Sequence, residues 1–314
     1  VDDIRHGVAL AHGVGADMVI AIGGGSVLDG GKAIAALAVN AGDPLQYLEV
    51  IGQGRPLERH PLPIIAIPTT AGTGSEVTRN AVLASPDHGV KVSLRHEWML
   101  PRIALVDPEL TYGLPPEITA STGLDALTQL IEPYVSSRAN PMTDALCLEG
   151  LQRVARSLHR AWEDGQDRQA REDMALASLL GGMALANAGL GAVHGLAAPL
   201  GGLKPVPHGV ACAALLPHVM EVNLFALPSE HPVRGKYTAV ARLLTGNPEA
   251  SAMDGIHWVR SMVETLQVPR LGDYGLGAED LESIAGRALS ASSMKANPVP
   301  LRMETLVEVL TRAL

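Results

Sequence analysis

The chain has few cysteines and few aromatic residues, and each scarcity removes a class of protein. It has two cysteines, Cys147 and Cys212, among 314 residues, which is too few for a disulfide framework. They also lack the paired spacing of a zinc motif, so we predict two reduced core thiols and a cytoplasmic protein. One Phe, five Tyr and three Trp give little indication of an aromatic cage for a ligand.

Clustered positive charge and long apolar runs are also missing. The chain carries 24 Lys and Arg against 33 Asp and Glu, a net charge of -9, without the basic run that a nucleic-acid surface needs. Its Ala- and Leu-rich segments are interrupted, for example at Gly181, Gly182 and Asn187, before they reach the roughly 18 apolar residues of a membrane helix. We therefore predict no nucleic-acid partner and no membrane span.

Apolar patterning divides the chain at Pro115 and Pro116. Before them, short apolar runs at 18–22, 64–67 and 103–106 accompany a helical pattern at 27–39, which indicates a parallel α/β sheet. After them the pattern predicts helices at 122–135, 142–162, 171–186, 239–244, 253–266, 281–289 and 303–314. Consecutive prolines interrupt both strands and helix interiors, so we predict an α/β domain over 1–114 and an all-helical domain over 115–314.

A glycine-rich turn follows the first apolar run. Gly23-Gly24-Gly25-Ser26 opens a helix that carries Asp29 and Lys32. Glycines let the backbone approach a pyrophosphate, and the helix N-terminus supplies N–H groups. The turn lacks the third Gly of the dinucleotide fingerprint, because Leu28 stands there, and it lacks the Ser or Thr of a P-loop. An ordinary structural turn therefore remains an equal alternative.

The loop after the second apolar run carries four hydroxyl side chains. These belong to Thr69, Thr70, Thr73 and Ser75. Hydroxyls donate hydrogen bonds to ribose or phosphate without adding charge. A polar turn is the simpler explanation, but the length of the loop and its place after a strand favour ligand binding.

Four residues of the second half form a candidate metal site. Asp125 and Gln129 lie four residues apart on one predicted helix face, and His194 and His208 each precede a glycine. Two imidazoles and a carboxylate suit Fe(II) or Zn(II) with one open position. Gln129 would add an amide oxygen, which is a weak ligand. Most of the 11 histidines are expected to be ordinary surface or hydrogen-bonded residues, and spacing alone leaves this alternative open.

Five segments together resemble the iron-containing (group III) alcohol dehydrogenases. They are the strand and glycine turn with Asp29 and Lys32, residues 68–77, residues 107–111, residues 123–128, and His194-Gly with Pro207-His208-Gly. The resemblance extends over essentially the whole chain. It implies a Rossmann-like parallel-sheet domain followed by an all-helical domain, the dehydroquinate synthase-like architecture, with catalysis in the cleft between them. It also implies a homodimer or a larger homo-oligomer.

The chain departs from this family at two site positions. The family's first metal histidine is Gln129 here, and a second histidine, thought to assist proton transfer or substrate contact, is Ala198. Asp125, His194 and His208 match the expected ligands. The family's first strand, with the acidic residue that often selects NAD over NADP, would precede Val1. We therefore expect an amino-terminally truncated chain whose cofactor preference cannot be inferred from sequence.

The resemblance implies hydride transfer between NAD or NADP and a small alcohol or aldehyde, with a metal on Asp125, His194 and His208 polarising the substrate oxygen. The cofactor contacts we predict are Gly23, Gly24, Gly25, Ser26, Asp29, Thr69, Thr70, Thr73, Ser75 and Lys91.

Two alternatives to this function stay open. One is a metal-independent enzyme like the maleylacetate reductases, with His194, His208 and Lys91 as donors, although those enzymes depart from the aspartate that Asp125 retains. The other is a catalytically silent dehydrogenase-like binding protein, which Gln129 and Ala198 motivate.

Overall fold

The computed structural model describes residues 1–314, apart from the side chain of Pro86. The first part contains α1 (Asp2–Gly13), β1 (Val19–Gly23), α2 (Gly25–Leu37), α3 (Pro44–Tyr47), β2 (Ile64–Pro68), β3 (Asn80–Ser85), β4 (Val90–Arg95) and β5 (Ile103–Ala104). The second part contains α4 (Pro116–Val135), α5 (Pro141–Glu163), α6 (Arg168–Ala188), α7 (Ala192–Leu203), α8 (His208–Ala226), α9 (Pro232–Thr245), α10 (Ala252–Thr265), α11 (Leu281–Leu289) and α12 (Met303–Ala313). This order confirms the predicted fold class, a parallel α/β sheet followed by helices.

The parallel sheet has the strand order β1-β2-β5. Val19 pairs with Ile64, and Ile65 pairs with Ile103. Ile64 and Ala66 pack with Leu28 of α2 in a small buried core. Because parallel strands point the same way, the loops after β1 and β2 leave the sheet at one edge, where nucleotide ligands bind in such folds.

The hairpin of β3 and β4 is absent from the sequence prediction. Its strands pair antiparallel from Asn80 opposite Arg95 to Ser85 opposite Val90. Exposed Val82 and half-buried Val90 break the simple apolar and polar alternation that identifies a strand. The hairpin is recognised only in the structure, where its inner face packs on the core that contains Ala33 of α2.

The helical part is built around α4, which is buried at every residue from Gly123 to Val135. Helices α5, α6 and α8 pack around it. Polar side chains on such a helix need partners inside the protein. Asp125, Gln129 and Glu132 of α4 are polar and buried, so the surroundings of α4 are where a site is expected.

Helices α7 and α8 are also absent from the sequence prediction. Each contains a proline, Pro199 or Pro217, and a helix that is apolar on all sides lacks the usual period. By length and composition alone, α8 is apolar enough to cross a membrane, but 61% of its apolar window is buried inside the protein. That burial is expected of a core helix.

Candidate metal centre and cofactor loops

Three polar residues lie on one face of α4. Asp125, Gln129 and Glu132 are separated by four and three residues, a spacing that aligns side chains along a helix. They are exposed by only 2%, 3% and 5%. The predicted pair Asp125 and Gln129 is therefore extended by Glu132, which the sequence analysis missed although its spacing was visible.

His194 reaches this face from α7 and is held there by Glu132. A bend of 100° separates α6 from α7, and His194 is in the first turn of α7. Its Nδ1 lies 2.6 Å from Glu132 Oε2, and the Val193 N–H donates to Glu132 Oε1 at 2.7 Å. A Cβ on Gly191 would lie 2.8 Å from the same Oε1, so glycine allows this close approach. The bond at Nδ1 leaves His194 Nε2 directed toward Asp125.

His208 and Cys212 complete the cluster from the first turns of α8. They lie four residues apart, one helical turn. Cys212 is fully buried, whereas the His208 side chain is 43% exposed. One donor atom from each of Asp125, His194, His208 and Cys212 lies within 4.8 Å of all the others. Three separate helices therefore direct their donors to one point.

The spacing of these donors fits a metal ion. A tetrahedral ion with bonds of about 2.0–2.3 Å holds its donors about 3.3–3.6 Å apart. Asp125 Oδ1 lies 3.5 Å from His194 Nε2 and 3.7 Å from His208 Nε2. Cys212 Sγ lies 3.6 Å from His208 Nε2 and 3.9 Å from His194 Nε2. Asp125 Oδ1 is buried and accepts no hydrogen bond within the described chain, which is costly unless a cation compensates.

Charges within the cluster shift the pKa values of its members. Burial disfavours ionised Asp125, but His208 and His194 outweigh burial and lower the pKa of Asp125. Burial acts to lower the pKa of His194, yet Cys212 and Glu132 raise it well above its ordinary value. Cys212 and Asp125 raise the pKa of His208 to about 9. An environment that favours positive charge on imidazole also favours a metal cation.

The cysteines require a correction to the sequence analysis. Both are free and buried, as predicted, and both belong to the main core. Cys212 is not an ordinary core thiol, because two imidazole nitrogens lie within 3.9 Å of its sulfur. Its spacing of four residues from His208 was the available signal.

The remaining site positions have simpler surroundings. Gln129 Oε1 is buried and accepts no hydrogen bond within the described chain. Ala198 follows His194 by one helical turn on α7, and its methyl group offers no donor.

The two loops predicted to bind a cofactor lie side by side at the strand ends. The Thr69 N–H donates to Gly23 O at 3.0 Å. A Cβ on Gly24 would lie 3.5 Å from Thr70 Oγ1, and one on Gly25 would lie 2.7 Å from Thr73 Cγ2. Helix α2 begins at Gly25 with no side-chain cap, so its first N–H groups are available to an anion.

Asp29 and Ser75, both predicted as cofactor contacts, belong to a largely buried network that holds the loops. Ser75 Oγ donates to Asp29 Oδ1, and the Val82 N–H donates to Asp29 Oδ2 at 2.8 Å. Lys32 Nζ lies 2.9 Å from Asp29 Oδ1 and donates to Ser75 O and Thr78 Oγ1. Burial lowers the pKa of Lys32, although Asp29 opposes that change. The network connects α2, the second loop and β3.

Lys91, the last predicted cofactor contact, lies on β4 and extends toward α7. Its Nζ is 3.3 Å from the position that a Cβ on Gly201 would occupy. Gly201 follows His194 by seven residues, which is about 10 Å along the helix. The Lys91 side chain therefore lies beside α7, the helix that carries His194.

The sequence of this chain is similar to known proteins along almost its whole length. Sequence models described as "Iron-containing alcohol dehydrogenase" and "Fe-containing alcohol dehydrogenase family, C-terminal" match residues 1–108 and 119–314. Alcohol dehydrogenase 4 of Saccharomyces cerevisiae is 38% identical over 314 residues, which are 100% of this chain and 80% of the yeast protein.

Two solved structures share the fold. A 1,3-propanediol oxidoreductase has a TM-score of 0.90 at 38% identity, over 99% of this chain and 80% of that one. A sulfoacetaldehyde reductase from Bifidobacterium kashiwanohense, in complex with NAD+, has a TM-score of 0.87 at 30% identity, over 99% of this chain and 79% of that one. Because these matches span both the sheet and the helices, this chain belongs to the iron-containing alcohol dehydrogenase family.

Proposed function

We propose that this protein is an alcohol dehydrogenase that transfers a hydride between NAD or NADP and a small alcohol or aldehyde, using Fe(II) or Zn(II) held by Asp125, His194 and His208. The observation that carries the proposal is the buried Asp125 Oδ1, which has no hydrogen-bond donor among the described residues and faces imidazole nitrogens from two other helices. Family membership supports the hydride chemistry, and the NAD+ complex of a relative supports the cofactor class.

The side chains around the site have distinct tasks. A divalent metal bound here would act as a Lewis acid toward the oxygen of the alcohol or aldehyde. Glu132 fixes the ring of His194 through Nδ1, so that Nε2 stays directed into the cluster. Asp125 and His194 are buried, whereas His208 is partly exposed. Substrate is therefore expected to approach from the side of His208.

The proposed cofactor site consists of the glycine turn, residues 23–26, and the threonine loop, residues 69–75. The uncapped N–H groups at the start of α2 suit the negative charge of a pyrophosphate. Thr69, Thr70 and Thr73 offer hydroxyl donors beside that turn. Asp29 and Ser75, the other predicted contacts beside this turn, also support the loops through their network.

The test of this function is a pair of histidine variants. We expect His208→Ala to lose bound iron or zinc and the oxidation of NADH or NADPH with a small aldehyde. His257→Ala, an exposed histidine of α10, is the control and should keep both properties. Full activity in His208→Ala would refute the proposal.

Two further measurements separate the alternatives. Activity that survives exhaustive chelation would favour a metal-independent reductase. Stoichiometric metal without turnover of any small aldehyde would favour the silent binding protein.

The proposal includes a homodimer or larger homo-oligomer, as the family resemblance implies, in the cytoplasm, as the scarcity of cysteine predicts. Light scattering during size-exclusion chromatography measures the number of chains in the particle. A monomeric active enzyme would remove the dimer from the proposal without affecting the metal site.

A further inference from the structure

We infer that Cys212 provides a thiolate ligand to the proposed metal, in place of the imidazole that the family resemblance expects at position 129. The ligand set would then be one carboxylate, two imidazoles and one thiolate, contributed by α4, α7 and α8. This inference rests on the proposed metal-dependent function, and the experiment below distinguishes the failure of each.

The first argument is the position of the sulfur. Cys212 Sγ lies 3.6 Å from His208 Nε2 and 3.9 Å from His194 Nε2. A tetrahedral metal would place sulfur and nitrogen about 3.5–3.6 Å apart. Small movements of the Cys212 and His194 side chains would bring both separations to that value. The thiol is fully buried, so a metal bound to it would be shielded from bulk water on that side.

The second argument is the unpartnered carboxylate oxygen beside the sulfur. Asp125 is 2% exposed and its Oδ1 has no hydrogen-bond donor within the described chain. Two buried acidic groups, a carboxylate and a thiol, therefore face the same two imidazoles. On metal binding the thiol releases its proton to solvent, and the two negative charges balance a divalent cation.

The chain offers an internal comparison in its second cysteine. Cys147 of α5 is also fully buried and belongs to the same main core as Cys212, and burial raises the pKa of its thiol to about 12. It is outside the described group of potential metal ligands. Burial therefore does not distinguish the two cysteines, whereas the imidazole neighbours do.

Gln129 is the competing fourth ligand. Its amide oxygen is buried and accepts no hydrogen bond from the part of the chain that the structure describes. A neutral amide is nevertheless a poor donor for zinc, which prefers thiolate, imidazole and carboxylate. Exchange of an imidazole for a thiolate also makes the site softer. We therefore expect this chain to prefer Zn(II) to Fe(II) more strongly than a site of one carboxylate and three imidazoles would.

Cobalt substitution tests the ligand set directly. The purified protein is stripped of metal and loaded with Co(II) without oxygen, and its absorption spectrum is recorded. A cobalt–thiolate bond gives an intense charge-transfer band in the near ultraviolet, and bound cobalt gives weaker ligand-field bands in the visible. We expect both sets of bands in the unmodified protein. Cys147→Ser should keep both, whereas Cys212→Ser should lose the charge-transfer band.

Zinc affinity gives a second readout that does not depend on activity. In competition with a chromophoric chelator, Cys212→Ser should weaken zinc binding by at least about tenfold, a loss typical of disturbed metal sites. Gln129→Ala should change the affinity by less than about threefold. When loaded with Co(II), the double variant Gln129→His with Cys212→Ser should show the ligand-field bands of bound cobalt without the charge-transfer band. Circular dichroism of each variant checks that the helices have formed.

The outcomes separate the two ideas. Ligand-field bands without a charge-transfer band in the unmodified protein would overturn the thiolate ligand and leave the proposed function standing. No cobalt or zinc binding by the unmodified protein would overturn both. A charge-transfer band that persists in Cys212→Ser but disappears in Cys147→Ser would assign the thiolate ligand to Cys147 and overturn the inference.

Discussion

At the scale of single residues, Glu132 fixes the orientation of the His194 ring. Its two carboxylate oxygens bind His194 Nδ1 and the Val193 N–H. Such an outer carboxylate fixes the tautomer and ring orientation of a ligating histidine. We expect Glu132→Gln to weaken metal binding by about 10–100-fold, measured by competition with a chromophoric chelator. Glu163→Gln, whose side chain is 70% exposed, is the control. Equal affinities in the two variants would contradict this role for Glu132.

A second residue, Asp173 of α6, carries a pH-dependent part of the stability. Its side chain is fully buried and accepts hydrogen bonds from Arg153, Arg156 and Ser157. Burial acts to raise the pKa of Asp173, but the bonds from Arg156 and Ser157 lower it overall. Because charged hydrogen bonds contribute about 1.5–3 kcal/mol, we expect Asp173→Asn to reduce the free energy of unfolding by that amount at neutral pH.

The sign of the pH effect follows from the lowered pKa. An unfolded aspartate titrates near about pH 3.9, above the folded value, so the contribution is fully present above that pH and is lost as the pH falls through the folded pKa. Urea unfolding at several pH values should therefore show a constant difference between the protein and Asp173→Asn from about pH 7 to about pH 5. Below about pH 4 the difference should shrink. Asp3→Asn, at an exposed position, is the control, and a difference that grows with acid would contradict this account.

Individual ligand candidates were only partly accessible from the sequence. Asp125, His194 and His208 could be chosen because the resemblance to a known family was added to their residue types and spacing. Cys212 was missed although it follows His208 by four residues, since a buried thiol is usually an ordinary core residue and only the fold brings its sulfur close to His194. The contact between Asp29 and Val82 could not be predicted, because Val82 lies on a hairpin that the pattern did not predict.

At the scale of elements, the proposed cofactor site lies at the junction between α2 and the threonine loop. A Cβ at Gly25 would lie 2.7 Å from Thr73 Cγ2 and 2.9 Å from Thr73 Oγ1, so Gly25→Ala must push the loops apart. We expect its dissociation constant for NADH or NADPH to rise about tenfold, or about 1.4 kcal/mol, measured by the fluorescence of the reduced cofactor. At Gly30, farther along α2, a Cβ would come no closer than 3.8 Å to Ile4. Gly30→Ala is therefore the matched control, and equal weakening by both variants would exclude a specific role for the junction.

Helices could be predicted from the sequence where only one face of the helix is buried. Residues 27–39 and 281–289 repeat apolar side chains at the helical period, and the structure has α2 and α11 there. Helices α7 and α8 cross the core, contain Pro199 and Pro217, and have no polar face to give a period. They carry His194 and His208, so the least predictable helices hold both histidine candidates.

At the scale of the whole molecule, the candidate metal joins chain segments that are far apart in sequence. The donors on α4, α7 and α8 span residues 125 to 212, and the same helices form much of the main core. The two-part architecture followed from the change in apolar patterning near Pro115. The convergence of these helices on one point depends on the bend between α6 and α7, which no local pattern specifies.

Metal binding is therefore expected to stabilise the entire fold. A ligand that binds only the folded state raises the free energy of unfolding by about 2.7 kcal/mol when its concentration is 100 times its dissociation constant. We expect the metal-free protein to gain about that amount when zinc is added at this ratio, with a higher melting temperature in calorimetry. His208→Ala lacks one donor at a partly exposed position, so its metal-free form should melt close to the unmodified one and respond little to zinc. If zinc raised the melting temperature of both proteins equally, the stabilising metal would be bound somewhere other than the cluster of α4, α7 and α8.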